Sequence, residues 1–533
     1  MDSGFFHFLS AGVQIFPFPA GNFLHHTIAN YYILLYNKLT SNKNTPKGVS
    51  PMQSSRRLLA IVLALLLSTT TLLSCASDET VETTAVSAAE TTAETAPEET
   101  EPALPMDDLA DADFEGASYI IGGTAARTTT AITSSELTGE VINDAQYNSA
   151  RAVEDRFNVK ISYEDLGVDD AATNTTIKGL VAGNDDTYSV VFNVDTEQMN
   201  LALSGHFINL KDVEQFNFDK PWWIDSTDTI GVGDKAYVAS SYLSYYCLYY
   251  IRVLVMNKDM AGDLGIEIPY DQVFEGSWYL DDLIGMAELA TIDLNGDGKM
   301  TADDQYGLSY EVLYTMQSSM GIKIIDKDEN NIPFLAFDVD RAGTYLAKIE
   351  ELCDNYGFYE TGYGATMFSN GQSLFSYCNL REVCNVIRDS EIRYGYLPCP
   401  KLDETQEDYM TVATDVYWGI PVSVAGKLDM AGTITEALSC QHFNNVRPAF
   451  FETTMKSKLS GDENDMKVLD LVAERLSIDF AFAHQKNLGN VTALDDMYRD
   501  GTKSGNLVSR YESYKGAIET KLASLIDVFA ELP

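Results

Sequence analysis

Between Ser118 and Asn193 short apolar runs alternate with a stretch of helical periodicity, and this alternation narrows the fold more than any other feature of the chain. Ser118–Gly123 (SYIIGG) is an apolar run closed by glycines and reads as a strand. Ala145, Ala152, Val153 and Phe157 recur near helical spacing, which predicts a helix from about Asn143 to Phe157. Val159–Tyr163 and Tyr188–Asn193 (YSVVFN) follow as strands. Strand and helix in turn specify an α/β lobe around a largely parallel sheet. Ligands of open α/β sheets sit beyond the carboxyl ends of the strands. The loop Asn193-Val194-Asp195-Thr196 after YSVVFN therefore makes Asn193 and Asp195 candidate cleft residues, each serving equally well as an Asx turn or helix N-cap.

Of the 533 residues, 45% are hydrophobic and 11% aromatic, ample material for cores in two or three domains. A net charge of -43, from 36 Lys+Arg against 79 Asp+Glu, repels phosphate backbones, so no nucleic-acid partner is expected. The seven cysteines (Cys75, Cys247, Cys353, Cys378, Cys384, Cys399 and Cys440) have no spacing that suggests zinc or a disulfide framework. The last six read as small buried hydrophobes or free thiols, with a bridge such as Cys378–Cys384 left open.

Arg56 and Arg57 precede an unbroken apolar run, Leu58–Leu67, about as long as a signal-peptide core and short of a membrane span. Leu72-Leu73-Ser74-Cys75 comes next. The order resembles a bacterial lipoprotein signal, which implies cleavage before Cys75, its lipidation, and anchoring to the outer face of the cell membrane. A plain secretory signal containing a chance Cys is the alternative, and export follows from both. Such a signal has to open the translated chain. Residues 52–75 are therefore expected to be the signal, with Met52 as the start and residues 1–51 an upstream over-prediction. Residues 76–110, almost all Thr, Glu, Ala, Ser and Pro, bury too little to fold and read as a disordered acidic tether, so the folded body is expected to begin near Asp111.

Tyr242–Asn257 (YLSYYCLYYIRVLVMN) begins aromatic and ends β-branched, and reads as one long strand crossing between lobes. Asn257–Ala290 then carries NKD, GIEIP and GSWYLDDL in order, followed by FSNGQSLF (Phe368–Phe375), RDSEIRYGYLPCP (Arg388–Pro400) and YWGIPV (Tyr417–Val422). This series resembles the family 1 extracellular solute-binding proteins of bacterial ABC importers, over roughly Asp111–Leu532. The resemblance implies a two-lobed periplasmic-binding-protein-like α/β fold of type II, with a hinge between lobes and the ligand in the interlobe cleft. By analogy, lobe 1 is expected over 111–243 plus 415–450 and lobe 2 over 244–414 plus 451–533. It also implies a sugar or short oligosaccharide as ligand, ABC permease subunits as partners, and a monomer.

Sugar clefts combine flat aromatic faces with planar polar groups, because a pyranose offers an apolar C–H face and a belt of hydroxyls. The candidates are Trp223 of KPWWID, Tyr242, Tyr245, the set Tyr377, Asn379 and Arg381 of FSYCNLR, and the set Asp415, Tyr417 and Trp418 of TDVYWG. The family resemblance favours the last two sets. One of the adjacent Trp222 and Trp223 is expected to point into the core.

Residues 293–304 fit an EF-hand-type loop. Asp293, Asn295 and Asp297 supply oxygens at positions one, three and five, Gly298 the sharp turn, Lys299 a backbone carbonyl, Thr301 position nine and Asp304 position twelve. Asp304 is shorter than the usual Glu and resembles the dockerin-type variant. A structural Ca2+ is expected, with an empty Asp/Gly-rich turn as the alternative. No G-x-S-x-G, H-E-x-x-H or P-loop appears, and His206, His442 and His484 lie far apart, so no enzyme is expected. A binding protein for a peptide or polyamine, or a surface glycan-capture protein without a transporter, remains open.

Overall fold

The computed structural model describes residues 104–125, 132–224, 226–311, 313–359, 364–413, 416–455, 462–489 and 504–533. SYIIGG becomes β1 (Ala117–Thr124), and the periodic stretch after it becomes α1 (Val141–Phe157), burying Gln146, Ser149, Ala150, Val153 and Phe157. α1 stops where Asn158 takes a left-handed φ of 50° and its N–H returns to the Glu154 carbonyl. The chain passes directly into β2 (Val159–Gly167), parallel to β1 with Ala117 opposite Val159. α2 (Asp170–Ala182) is capped by Asp169, whose carboxylate accepts from the Ala172 N–H at 2.8 Å. β3 (Val190–Val194) lies parallel on the other flank of β1. No loop follows it. Helix α3 (Asp195–Leu203) starts at once, so the expected Asn193–Thr196 loop is a strand end joined to a first helical turn.

The stretch expected as one strand over Tyr242–Asn257 divides in two. Tyr246–Tyr249 is the short helix α4, and only Arg252–Asn257 is a strand, β4. Helical spacing stacks the Tyr246 ring on Tyr249 at 5.2 Å, whereas the β-branched second half suits a fully buried strand. After it come α5 (Leu280–Ala290), β5 (Tyr306–Tyr310), the hairpin β6 (Ile325–Lys327) with β7 (Pro333–Leu335), β8 (Gly357–Tyr359), β9 (Ser373–Asn379) and β10 (Tyr394–Leu397). They form a second sheet in the order β10-β4-β9-β5-β8, antiparallel at its first two pairings and parallel at its last two. The chain then makes β11 (Thr411–Val412), β12 (Val416–Gly419), α6 (Leu428–Gln441), α7 (Glu463–Glu474), β13 (Leu476–Ser477) and α8 (Leu507–Glu531). β12 returns to the first sheet, antiparallel to β3, which gives the order β12-β3-β1-β2.

Passage between the two sheets is concentrated in one place. Ile251 bridges Ala413, while Thr411 and Val412 pair with Leu476 and Ser477, so three separate stretches of backbone lie side by side. The last part of the chain touches both bodies. Asp465 of α7 accepts from the Tyr396 N–H of β10, whereas Lys486 pairs with Glu197 of α3 at 2.6 Å and Tyr237 donates to the Pro533 carbonyl. Ordered contacts also begin before Asp111: Arg156 holds Asp107 at 2.8 Å and Lys220 holds Asp108 at 2.8 Å. All six described cysteines are free, so the open Cys378–Cys384 bridge is not formed. Among the described residues no helix is long and apolar enough to cross a membrane.

Candidate functional site

Asn193 and Asp195 lie where β3 ends and α3 begins, and Tyr377, Asn379 and Arg381 at the end of β9 or just after it. In the first sheet Asn193 ends β3 opposite Tyr417 of β12. Its side chain is engaged within the fold: Nδ2 donates to the Asp170 carbonyl at 3.1 Å, and Oδ1 accepts from the Val194 N–H at 2.8 Å and Thr124 Oγ1 at 3.3 Å. Asp195 is buried and accepts from the Thr196 N–H as α3 begins. Tyr417 is buried as well.

Trp222, Trp223 and Trp418 are buried. Trp223 and Trp418 lie 5.7 Å apart, and Phe216 packs on them at 4.9 and 6.0 Å, with Phe218 on Trp223 at 4.8 Å. The Trp418 indole N–H donates to Ser241 Oγ at 3.1 Å. Trp222 and Trp223 each donate an indole N–H to one oxygen of Glu436, both at 3.0 Å. Burial raises the Glu436 carboxyl to about 8, against those two donors. Trp223 and Trp418 are buried and form a cluster of four rings with Phe216 and Phe218. Tyr242 is likewise covered, edge-on to Phe443 at 5.1 Å, and Tyr245 rests on Phe450 at 5.6 Å.

The second sheet gathers a polar group. β9 ends with Tyr377, whose hydroxyl meets Thr315 Oγ1 at 2.8 Å, and with Asn379, which caps the turn after it. Asn379 Oδ1 accepts from the Glu382 N–H at 2.9 Å and Glu382 returns the bond to the Asn379 N–H at 3.0 Å. Arg381 on that turn is exposed. Strand pairing sets Arg252, at the start of β4, opposite Asn379, and Tyr310, at the end of β5, opposite Tyr377. Glu311 follows β5 directly. Its carboxyl is raised above the ordinary range by burial first and by the Glu382 charge and hydrogen bond next, with Arg252 and Arg381 pulling it down. Sequence reading missed Arg252, Glu311 and Glu382. The one available signal was an arginine inside the apolar run YYIRVLVM. Asp415 and Cys75 lie outside the described residues.

The loop 293–304 between α5 and β5 makes the turn an EF-hand needs, with φ of 71° at Gly296 and 78° at Gly298. Its oxygens are directed inward onto the loop backbone. Asp293 accepts from the Gly296 and Gly298 N–H groups, both at 2.7 Å, Asn295 from Asp297 at 2.8 Å, and Asp297 from the Lys299 N–H at 2.8 Å. Asp304 accepts from the Thr301 N–H at 2.8 Å and from its hydroxyl at 3.0 Å. Among the described residues no three His, Cys, Asp or Glu side chains gather around a point that a metal ion could occupy. Turn and donor order fit a hard cation, but the carboxylates do not converge.

No family model and no curated protein matches this chain. Solved structures do. A sugar transporter from Rhizobium etli in an open conformation is 14% identical, with 78% of this chain and 100% of that chain covered at a TM-score of 0.51. A cyclo/maltodextrin-binding protein complexed with maltotetraose is 10% identical over 78% of this chain and 96% of that chain, with a TM-score of 0.49. The fold is the two-lobed α/β periplasmic-binding-protein fold of type II.

Proposed function

We propose that this chain is the substrate-binding component of an ABC importer, held outside the cell by a lipid on Cys75, and that its lobes close over a sugar or short oligosaccharide without altering it. The observation that carries this reading is the placement of polar groups at the carboxyl ends of strands in two sheets joined by three adjacent crossings. Arg252, Asn379, Arg381, Glu311 and Glu382 supply planar donors and acceptors of the kind that hydroxyl groups pair with. The solute is handed to membrane permease subunits.

A thermal-shift screen across sugars, peptides and polyamines tests the reading. A cleft ligand at a hundred times its Kd stabilises the folded state by ~2.7 kcal/mol, and a carbohydrate is expected to give the largest shift. A shift with polyamines or peptides and none with any carbohydrate would replace the sugar by another solute.

The calcium reading of residues 293–304 belongs to the same proposal, as a structural ion pinning the segment between α5 and β5. Millimolar Ca2+ is expected to raise the melting temperature of the chelator-treated protein, and Asp293→Ala to abolish that rise. Equal melting with and without Ca2+ would leave the loop as a turn closed by its own backbone bonds.

A further inference from the structure

In a chain of 79 Asp+Glu against 36 Lys+Arg an acidic tether is repelled by the protein as a whole, so the basic side chains that meet it decide where it comes to rest. Arg156 and Lys220 are two such side chains, and each reads backbone as well as charge. Arg156, in the last turn of α1, pairs with Asp107 at 2.8 Å and donates to the Leu109 carbonyl at 2.9 Å. Lys220 pairs with Asp108 at 2.8 Å and donates to the Met106 carbonyl at 2.9 Å. Each cation thus takes one carboxylate and a carbonyl two residues from it, which fixes the register of the segment. Asn217 adds a bond to Asp108 at 3.0 Å, and Asn444, in the π-helical turn after α6, donates to the Pro105 carbonyl at 2.8 Å. The Asp107 side chain is left 3% exposed, which sets its pair with Arg156 apart from an ordinary surface contact.

The segments that hold 105–109 all belong to the body of the first sheet. Helix α1 joins β1 to β2, Thr435 of α6 meets Tyr119 of β1 at 2.6 Å, and Trp223, three residues after Lys220, packs on Trp418 of β12 at 5.7 Å. From there the chain enters the sheet at its amino end: the Phe114 N–H donates to the Phe157 carbonyl at 2.9 Å and the Gly116 N–H to the Asn158 carbonyl at 2.7 Å, just before Ala117 and Val159 open β1 and β2 side by side. Thr124, the last residue of β1, donates to Asn193 Oδ1 at 3.3 Å. The candidate ligand end is therefore the far end of the sheet, ~25 Å away along the eight residues of β1.

We propose that residues 105–109 are a strap that docks the tether on the first body at the pole opposite the candidate cleft, so that the anchor holds the first body and leaves the second free to swing. The inference rests on the lipid anchor and the lobe closure proposed above, and it assigns each body its part in them. A load from the membrane enters at the strap, away from the crossings at Ile251, Thr411–Ala413 and Leu476–Ser477, and so does not work the hinge.

Spin-label pairs test this in the mature chain with Cys75→Ser and Cys384→Ser, which leaves only buried native cysteines. Met106→Cys, Val168→Cys and Leu289→Cys place labels at exposed positions on the strap, just after β2 and on α5 of the second body. Without any ligand, the Met106–Val168 pair is expected to give one narrow distance distribution centred at or beyond ~25 Å. Arg156→Ala with Lys220→Ala should replace it by a broad one. Asp107→Ala with Asp108→Ala should do the same while changing no residue of the body, and a Val168–Leu289 distribution like the parent's shows that a variant is folded. A Met106–Val168 distribution already broad in the parent, or narrow in both double variants, would overturn the strap. Saturating maltotetraose is expected to move the Met106–Leu289 distance and leave Met106–Val168 where it was. A narrow Met106–Val168 distribution with no movement at Met106–Leu289 would keep the docked strap and count against the closure reading instead.

Discussion

Replacing Asp465 by alanine is expected to lower the unfolding free energy by ~3–5 kcal/mol, the usual effect of leaving one member of a buried ion pair without its partner. Asp465 is fully buried on α7, where Oδ2 accepts from Lys258 Nζ at 2.9 Å, and Oδ1 from the Tyr270 hydroxyl at 2.6 Å and the Tyr396 N–H at 3.0 Å. One carboxylate thus joins the segment after β4, the short helix Tyr270–Glu275 and β10. The joint is also tight sterically: a Cβ on Gly395 would fall 2.6 Å from both Lys258 Cε and the Tyr270 hydroxyl and 2.9 Å from Asp465 Oδ1. Asp465→Asn keeps the volume and one accepting oxygen, so it should cost less than Asp465→Ala. Equilibrium unfolding in urea measures both. A loss below ~1 kcal/mol for Asp465→Ala would mean that the network selects an arrangement without stabilising it.

Much of the first body was legible because its signals are local. The SYIIGG run, the helix ending at Phe157 and the strand from Val159 emerge within a few residues of their expected bounds, since apolar spacing and a helix-ending Asn need nothing distant. Tyr242–Asn257 was misread where two periodicities overlap. Its aromatic half satisfies helical i,i+3 stacking, and only its β-branched half pairs in the sheet. β12 could not have been assigned to the first sheet from local pattern, because its partner β3 lies more than 200 residues earlier. The early start of the folded body was hidden for a similar reason. Asp107 and Asp108 look like tether residues until Arg156 and Lys220 are placed beside them.

The strand positions of the candidate residues were more legible than their contacts. Asn193, Tyr377 and Asn379 lie near the ends of their strands and Arg381 in the turn after β9. Trp223 and Trp418 were chosen for their ring faces, yet rings are also the best material for a core, and no spacing tells which role wins. Here Phe216 packs on both and Phe218 on Trp223, from a segment whose sequence says nothing about Trp418. The pairing of Tyr310 with Tyr377, which brings the end of β5 beside β9, joins residues 67 positions apart and had no counterpart in the linear chain.

Stability is expected to peak near pH 6.5 and fall on both sides, because two buried histidines and one buried glutamate pull in opposite directions. His442 and His484 are enclosed, and burial holds each imidazole at about 4 against an ordinary 6.5. The unfolded chain takes up these protons first as pH falls. Their contribution is complete above 6.5 and lost toward 4, at about 3 kcal/mol for each histidine. Glu436 behaves in reverse. Its folded value of about 8 lies above the ordinary 4.5, so its contribution is present below 4.5 and lost as pH rises toward 8. From 4.5 to 6.5 two histidines outweigh one glutamate and stability rises with pH. From 6.5 to 8 the glutamate acts alone and stability declines. Denaturant midpoints taken at intervals between about pH 4 and pH 8 should trace this peak. His442→Asn keeps a donor near the Nδ1 position that meets the Tyr242 and Leu243 carbonyls, and His484→Gln one near the Nε2 that meets Ile230. Each should flatten the rise between 4.5 and 6.5, where one histidine would then stand against one glutamate, and Glu436→Gln should flatten the alkaline arm. An acid arm that keeps its slope in the double histidine variant would assign the loss to carboxylates instead.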